Sequence, residues 1–154
     1  ENRLICFEGD PDLHPRFKKN FKGYEFATLM PTLFDADSLQ ESSVDLIMSS
    51  HVVEHISEPC VFLREAYDAL KPGGLMFHEI PQQRRNGGDY PLSRKQLGEY
   101  HMTFWTYESV DKIFKMCGFE KVKLQVFSDY RKVDRTNQAK WIRALYRKPL
   151  QPKM

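Results

Sequence analysis

No stretch of this 154-residue chain approaches the roughly 20 consecutive apolar residues that a bilayer-spanning helix needs. No secretory leader is visible either, so neither a membrane span nor an exported precursor is expected. Cysteine is scarce. Cys6, Cys60 and Cys117 are odd in number, far apart and never in a C-x-x-C pair, which argues against zinc ribbons and thioredoxin-like chemistry. Three reduced thiols in a reducing, cytoplasmic compartment are expected. One-sided charge is missing as well: 23 Lys and Arg stand against 21 Asp and Glu, a formal net charge of +2, too near neutrality to point to nucleic acid. The excess is local, since the basic residues from Arg131 to Lys153 face only Asp134. A basic end attracts an anionic partner, and it equally serves to guard a strand edge with charge. There is no internal repeat, low-complexity tract or linker, and a chain of this length fits one domain over residues 1–154 with one core.

Hydrophobic residues make up 41% of the chain and charged residues 29%, as in an ordinary globular protein. Residues 4–7 (Leu4-Ile5-Cys6-Phe7) form a short apolar run stopped by Gly9, Asp10 and Pro11, which predicts a buried strand and its turn. Residues 23–29 form a second strand and 32–34 a short third. Val44 to Met48 is a clearer buried strand. A helix follows, with Ser57 as its cap, Pro59 in its first turn and Phe62, Leu63, Ala66 and Leu70 on its apolar face. Lys71-Pro72-Gly73-Gly74 ends it. Residues 75–80 are the next strand. Thr106 caps a second helix with Val110, Ile113, Phe114 and Cys117 on one side and Gly118 at its end, and residues 122–127 and 141–146 are the final strands. Alternating strands and helices followed by two strands predict an α/β fold: a mainly parallel sheet with residues 4–7 at its centre and an antiparallel addition at its end.

Three segments carry a resemblance. Ser43-Val44-Asp45-Leu46-Ile47-Met48-Ser49-Ser50-His51-Val52-Val53-Glu54-His55-Ile56, then Phe62-Leu63-Arg64-Glu65-Ala66 with Leu70-Lys71-Pro72-Gly73-Gly74-Leu75, then Tyr100-His101-Met102-Thr103-Phe104-Trp105-Thr106 with Gly118-Phe119-Glu120 occur in order. Together they resemble class I S-adenosylmethionine-dependent methyltransferases of the compact type 11/23 kind, from about Asp35 to Phe127. The resemblance implies a Rossmann-like methyltransferase sheet, S-adenosylmethionine as cofactor and a small-molecule acceptor. It weakens over the first thirty residues. That family places a glycine-rich turn after its first strand, so that bare backbone approaches the methionine end of the cofactor. Here Phe7 stands at the first glycine position and only Gly9 remains. The compact alignment makes residues 4–7 the central first strand; the alternative, a sheet truncated at the N-terminus, would leave buried backbone groups unpaired.

The resemblance also assigns the site. Glu8 and Gly9 form the shortened cofactor turn. Glu25 holds the ribose hydroxyls, or is a surface carboxylate at a strand end. Asp35 takes the adenine amino group and Ala36 gives its backbone amide, with Asp37 competing and an Asx turn as the plainer role. Ser50 lies at the end of the strand beneath the transferred methyl. His51 follows it and either orients the acceptor, takes its proton or caps a short helix. Tyr100 and His101 face the acceptor, or are a buried tyrosine and a capping histidine. The HVVEH segment lacks the H-E-x-x-H order, so no metal is expected. No aromatic-rich RNA-binding motif is present, so a nucleic-acid acceptor is not expected. The competing function is a binding or scaffold domain that kept the fold and lost the cofactor, in which Phe7 blocks the methionine end.

Overall fold

The computed structural model describes residues 3–8, 25–28, 39–82, 102–103, 105–128 and 140–151; of residues 4–8, 25–28, 128 and 140 only the backbone is described. Six strands, β1 (Arg3–Glu8), β2 (Glu25–Thr28), β3 (Val44–Ser50), β4 (Leu70–Pro81), β5 (Glu120–Ser128) and β6 (Lys140–Arg147), form one sheet in the order β2-β1-β3-β4-β6-β5. β1 pairs in parallel with both β2 and β3, and β3 pairs in parallel with β4. The apolar run at the start of the chain is therefore an internal strand, as the compact alignment requires.

The end of the sheet differs in one respect from a simple antiparallel hairpin added to an edge. β6 inserts between β4 and β5 and runs antiparallel to both, so β5 lies parallel to β1–β4 and only the last strand is reversed. The insertion satisfies both backbone edges of β6, which carries the fully buried Ile142, Ala144 and Tyr146.

Helix α1 (Pro59–Ala69) and helix α2 (Tyr107–Met116) supply one covering layer. Pro59 sits in the first turn of α1, where its missing N–H costs nothing, and Phe62, Leu63, Ala66 and Ala69 are buried. Two details correct the sequence reading. The residue before α1 is Glu58 and no side chain caps it, so Ser57 has no capping role. Leu70 opens β4, where it pairs with Val44, so the helix ends before Lys71-Pro72-Gly73-Gly74 rather than at it. β4 bulges within that segment, since Val44 pairs with Leu70 and Leu46 with Leu75, and Gly73 in the bulge has a φ of +81° that favours glycine.

Thr106 caps α2 as expected: its hydroxyl accepts from the Ser109 N–H, and the Ser109 hydroxyl accepts from the Thr106 N–H. Thr106→Ala is expected to lower stability by about 1 kcal/mol, read as a shift of the urea midpoint; an unchanged midpoint would show that the cap is not used. The core joins β3, β4 and β6 to α1 and α2 through Ile47, Met76, Ile80, Leu63 and Phe114. A fully buried large apolar side chain contributes roughly 1.5–3 kcal/mol, so this face sets the sheet rigidly. The carboxyl edge, where β1, β3 and β4 end, β5 ends and β6 begins, is then a fixed platform.

Candidate active site at the carboxyl edge of the sheet

Chain direction around β1 makes one crevice special. From β1 the chain goes to β2 on one side and then to β3 on the other, so the order reverses between β1 and β3. In open α/β sheets ligands bind outside the carboxyl ends of strands at such a point. Here the edge carries Glu8 in register with Ser50, and Ser50 in register with Glu79. A shallow cleft of about 300 Å³ lined by Leu39, Glu41, Glu65, Asp68 and Ala69 lies at the opposite, amino end, away from the switch crevice.

His51 follows β3 at this edge with φ +52°. A left-handed non-glycine residue is uncommon and costs energy that the surroundings must offset. Ser42, also left-handed, sits in an exposed turn; His51 instead is fixed on several sides. Its N–H donates to the Glu79 carbonyl at 2.9 Å, extending the β3–β4 ladder by one residue. Its Nδ1 lies 3.4 Å from Glu54 Oε1 and its Nε2 lies 3.7 Å from Glu79 Oε1. The imidazole is thus held between two carboxylates while 42% of its side chain stays open to solvent.

Glu54 is the residue that sequence reasoning undervalued. It lies in the 3-10 turn Val53–His55 and is only 1% exposed, and neither carboxylate oxygen has a hydrogen-bond partner among the described residues. A buried carboxylate is costly unless compensated. The compensation available is the two imidazoles, His51 and, at 3.9 Å, His55. Its carbonyl accepts from the Met102 and Thr103 amides at 2.7 and 3.0 Å. Thr103 Oγ1 donates to the Val53 carbonyl and accepts from Trp105 Nε1, so the chain entering α2 is stitched to the turn beside His51. The pattern H-x-x-E within one turn was the signal, since it sets Glu54 under His51.

Glu79 is the second such residue. Its carboxylate faces His51 and accepts from Arg143 Nε at 2.7 Å. Arg143 in turn covers the Phe127 ring at 4.2 Å, Phe127 stacks on Trp141, and Trp141 meets His51 edge-on.

Behind the edge, on the helix-covered face, Ser49 Oγ is hydrogen-bonded to His78 Nδ1. His78 is fully buried, with Phe62 and Phe114 against its ring and its Nε2 unpaired among the described residues. Burial drives its pKa down to about 3, so the ring is neutral at physiological pH.

Of the residues expected at the site, Glu8, Ser50 and His51 are brought together. Glu25 is not. The register sets it opposite Arg3, at the amino end of β2, and Glu8 lies five residues further along β1, roughly 16 Å at the usual strand rise. Thr28 is the β2 residue at the far end. The structure therefore sets Glu25 at the start of β2, away from the carboxyl edge. Gly9, Asp35, Ala36, Tyr100 and His101 lie outside the described residues, as does the side chain of Phe7, whose backbone is in register with Ser49.

A sheet of this order with a reversed last strand and a site at its switch point defines a Rossmann-like methyltransferase fold. The chain belongs to the methyltransferase domain family, whose model matches residues 6–124, and S-adenosylmethionine is the methyl donor of that family. Among solved structures, a Bacillus halodurans protein assigned as a methyltransferase is similar with a TM-score of 0.74, at 16% identity over 97% of this chain and 92% of that one. A Haloferax volcanii protein so assigned, in complex with the Trm112 methyltransferase activator, gives 0.73 at 15% identity over 96% and 83%. Haemonchus contortus phosphoethanolamine N-methyltransferase 2, with phosphomonomethylethanolamine and S-adenosylhomocysteine, gives 0.71 at 14% identity over 96% and 49%. At these identities the likeness is one of fold. Among curated proteins, the ubiquinone biosynthesis O-methyltransferase of Parvibaculum lavamentivorans is 37% identical over 46 residues and that of Ruegeria pomeroyi 43% over 42 residues. The matches cover 30% and 26% of this chain and only 18% and 17% of those proteins.

The edge suits the family's donor in one respect the structure displays. A sulfonium and an α-ammonium are cations, and the carboxylates of Glu79, partly exposed, and Glu54, buried behind His51, lie at this edge.

Proposed function

We propose that this chain is an S-adenosylmethionine-dependent methyltransferase acting on a small molecule at the carboxyl edge of β1, β3 and β4. The observation that carries this reading is His51, held left-handed at the switch edge between Glu54 and Glu79. Glu8, Gly9, Ser50, Asp35 and Ala36 would hold the cofactor, which supplies an electrophilic methyl group when bound. In-line displacement asks the protein chiefly for alignment and exclusion of water. His51 lies where it takes the acceptor's proton or orients its nucleophilic atom, and Glu54, facing Nδ1, positions the ring with Nε2 on the Glu79 side, as a third group orients the base in catalytic triads. Tyr100 and His101 would complete the acceptor side. A scaffold domain that has lost its cofactor draws on Phe7 alone. The free thiols Cys60 and Cys117 fit a reducing cytoplasm, and no described helix is long and apolar enough to cross a membrane.

Calorimetric titration with S-adenosylmethionine and S-adenosylhomocysteine tests the reading. Both are expected to bind. Ser50→Trp, which fills the crevice beside Glu8, is expected to abolish binding, whereas His51→Ala is expected to leave the dissociation constant within roughly threefold, since the ring serves the acceptor. No heat from the unmutated chain, or wild-type binding by Ser50→Trp, would contradict it.

A further inference from the structure

The last strand brings a cation to the edge just described. β6 runs antiparallel to β4, and the register sets Arg143 directly opposite Glu79. Oppositely charged cross-strand neighbours attract, and the two oxygens of the Glu79 carboxylate are used differently. Oε2 accepts from Arg143 Nε at 2.7 Å, while Oε1 stays 3.7 Å from His51 Nε2. The first contact is a charge-assisted hydrogen bond; the second is beyond hydrogen-bond reach. Arg143 is itself braced. Its guanidinium lies over the Phe127 ring at 4.2 Å, and Phe127 stacks on Trp141, whose ring meets the imidazole edge-on at 6.2 Å.

The division matters because of what faces the imidazole. Glu54 lies at Nδ1 from the 3-10 turn, with His55 beyond it at 3.9 Å, and Glu79 lies at Nε2 from β4. Trp141 of β6 carries no charge, and β1 brings Glu8 into register with Ser50, one residue before His51. A base needs its lone pair at Nε2, and a carboxylate drawn up to that atom favours an N–H there instead. Carboxylates close against both nitrogens would hold the ring as imidazolium, which accepts no proton. Folding by itself does not ask for the Arg143–Glu79 pair. Both side chains are partly exposed, and such a pair contributes little to stability.

Resting on the methyltransferase assignment above, in which His51 serves the acceptor, we propose that Arg143 is a positioning residue for His51: it holds the Glu79 carboxylate to itself, keeps it from capping Nε2, and so lowers the pH at which the imidazole becomes a base. Without Arg143 the carboxylate turns to Nε2, and the ring keeps its proton to higher pH. Phe127 and Trp141 serve this arrangement by fixing the guanidinium on one side and the imidazole on the other. The last strand, and not only the motif after β3, thereby sets the working range of the candidate base.

The ring resonances of His51 in the full chain, followed over pH at low ionic strength where screening is least, test this. The chain has five histidines, and the signal lost in His51→Gln assigns the right one. Arg143→Met is expected to raise the His51 midpoint by about one pH unit, and Glu79→Gln to lower it by a similar amount. Arg143→Lys, which keeps the cation, is expected to recover most of the rise, and Arg143→Gln replaces the methionine variant if that one does not fold. With Glu79 already changed to Gln, Arg143→Met is expected to have no further effect, because the arginine acts through that carboxylate. An unmoved midpoint in either single variant, or the full rise with Glu79 already replaced, would overturn the proposal. S-adenosylhomocysteine titrated into the same samples keeps the two readings apart. Failure to bind the unmutated chain would overturn the methyltransferase assignment whatever the midpoints, whereas binding with unmoved midpoints would overturn only the role of Arg143.

Discussion

Replacing Phe114 by alanine is expected to lower the unfolding free energy by about 3–5 kcal/mol. The residue is fully buried in α2 and touches every layer of the helix-covered face. Its ring stacks on Tyr146 of β6 with centroids 4.3 Å apart, packs against Phe119 at 5.6 Å and meets His78 of β4 at 5.4 Å. Truncation removes these contacts at once and leaves a cavity that two strands and a helix cannot close together. Domains of this kind have about 5–15 kcal/mol in total, so the variant is expected to unfold far earlier in urea. Met116→Ala, two residues on but 72% exposed, is expected to change stability by no more than about 0.5 kcal/mol. Equal effects at the two positions would mean that α2 does not dock through Phe114.

Between pH 7 and pH 5 the protein is expected to lose about 2 kcal/mol of stability through His78 alone. The pKa of this histidine is lowered from 6.5 to about 3 by burial. In that interval the unfolded chain binds a proton that the folded chain does not. Its stabilising contribution is therefore complete above pH 6.5 and declines as pH falls toward 3, by about 1.4 kcal/mol per unit. His78→Gln keeps an amide near the Ser49 hydroxyl and removes the titration. The variant should start less stable at pH 7 and lose stability more slowly on acidification. Parallel curves for the two proteins in urea melts from pH 7 to pH 5 would show that His78 titrates normally and is not sealed in the core.

The parts of the fold legible in the sequence are those where local pattern and tertiary structure agree. Val44 to Met48 is mostly apolar between polar flanks and reads as a buried strand, which it is. Thr106, followed by Val110 and Phe114 at helical spacing, announces both a cap and a buried face. Gly118, with φ +92°, marks the end of α2. Agreement fails where the outcome depends on partners distant in sequence. β2 is only four residues long, so its position is set by pairing to β1; a shift of a few residues moves Glu25 from one end of the sheet to the other. β6 following β5 in sequence does not reveal that β6 lies inside β5 in space, because strand order is decided by which strand is buried enough to need both of its polar backbone edges paired.

The candidate site divides in the same way. Ser50 and His51 were readable from the motif after β3. Glu79, Phe127, Trp141 and Arg143 were not, since they reach His51 only through the register of β4, β6 and β5. Nor does a sequence disclose the left-handed backbone of His51. Glycine would announce it; a single histidine does not.

The location of the cofactor is the claim on which the rest depends. Amide chemical shifts of the isotopically labelled chain during titration with S-adenosylhomocysteine test it most directly. The account predicts that the amides of Glu8, Ser50 and His51 at the carboxyl edge shift as the ligand saturates, while those of Ser42 and Ser43 at the amino end of β3 stay in place. Saturation with these edge amides unmoved, or with the shifts gathered at Ser42 and Ser43, would contradict it.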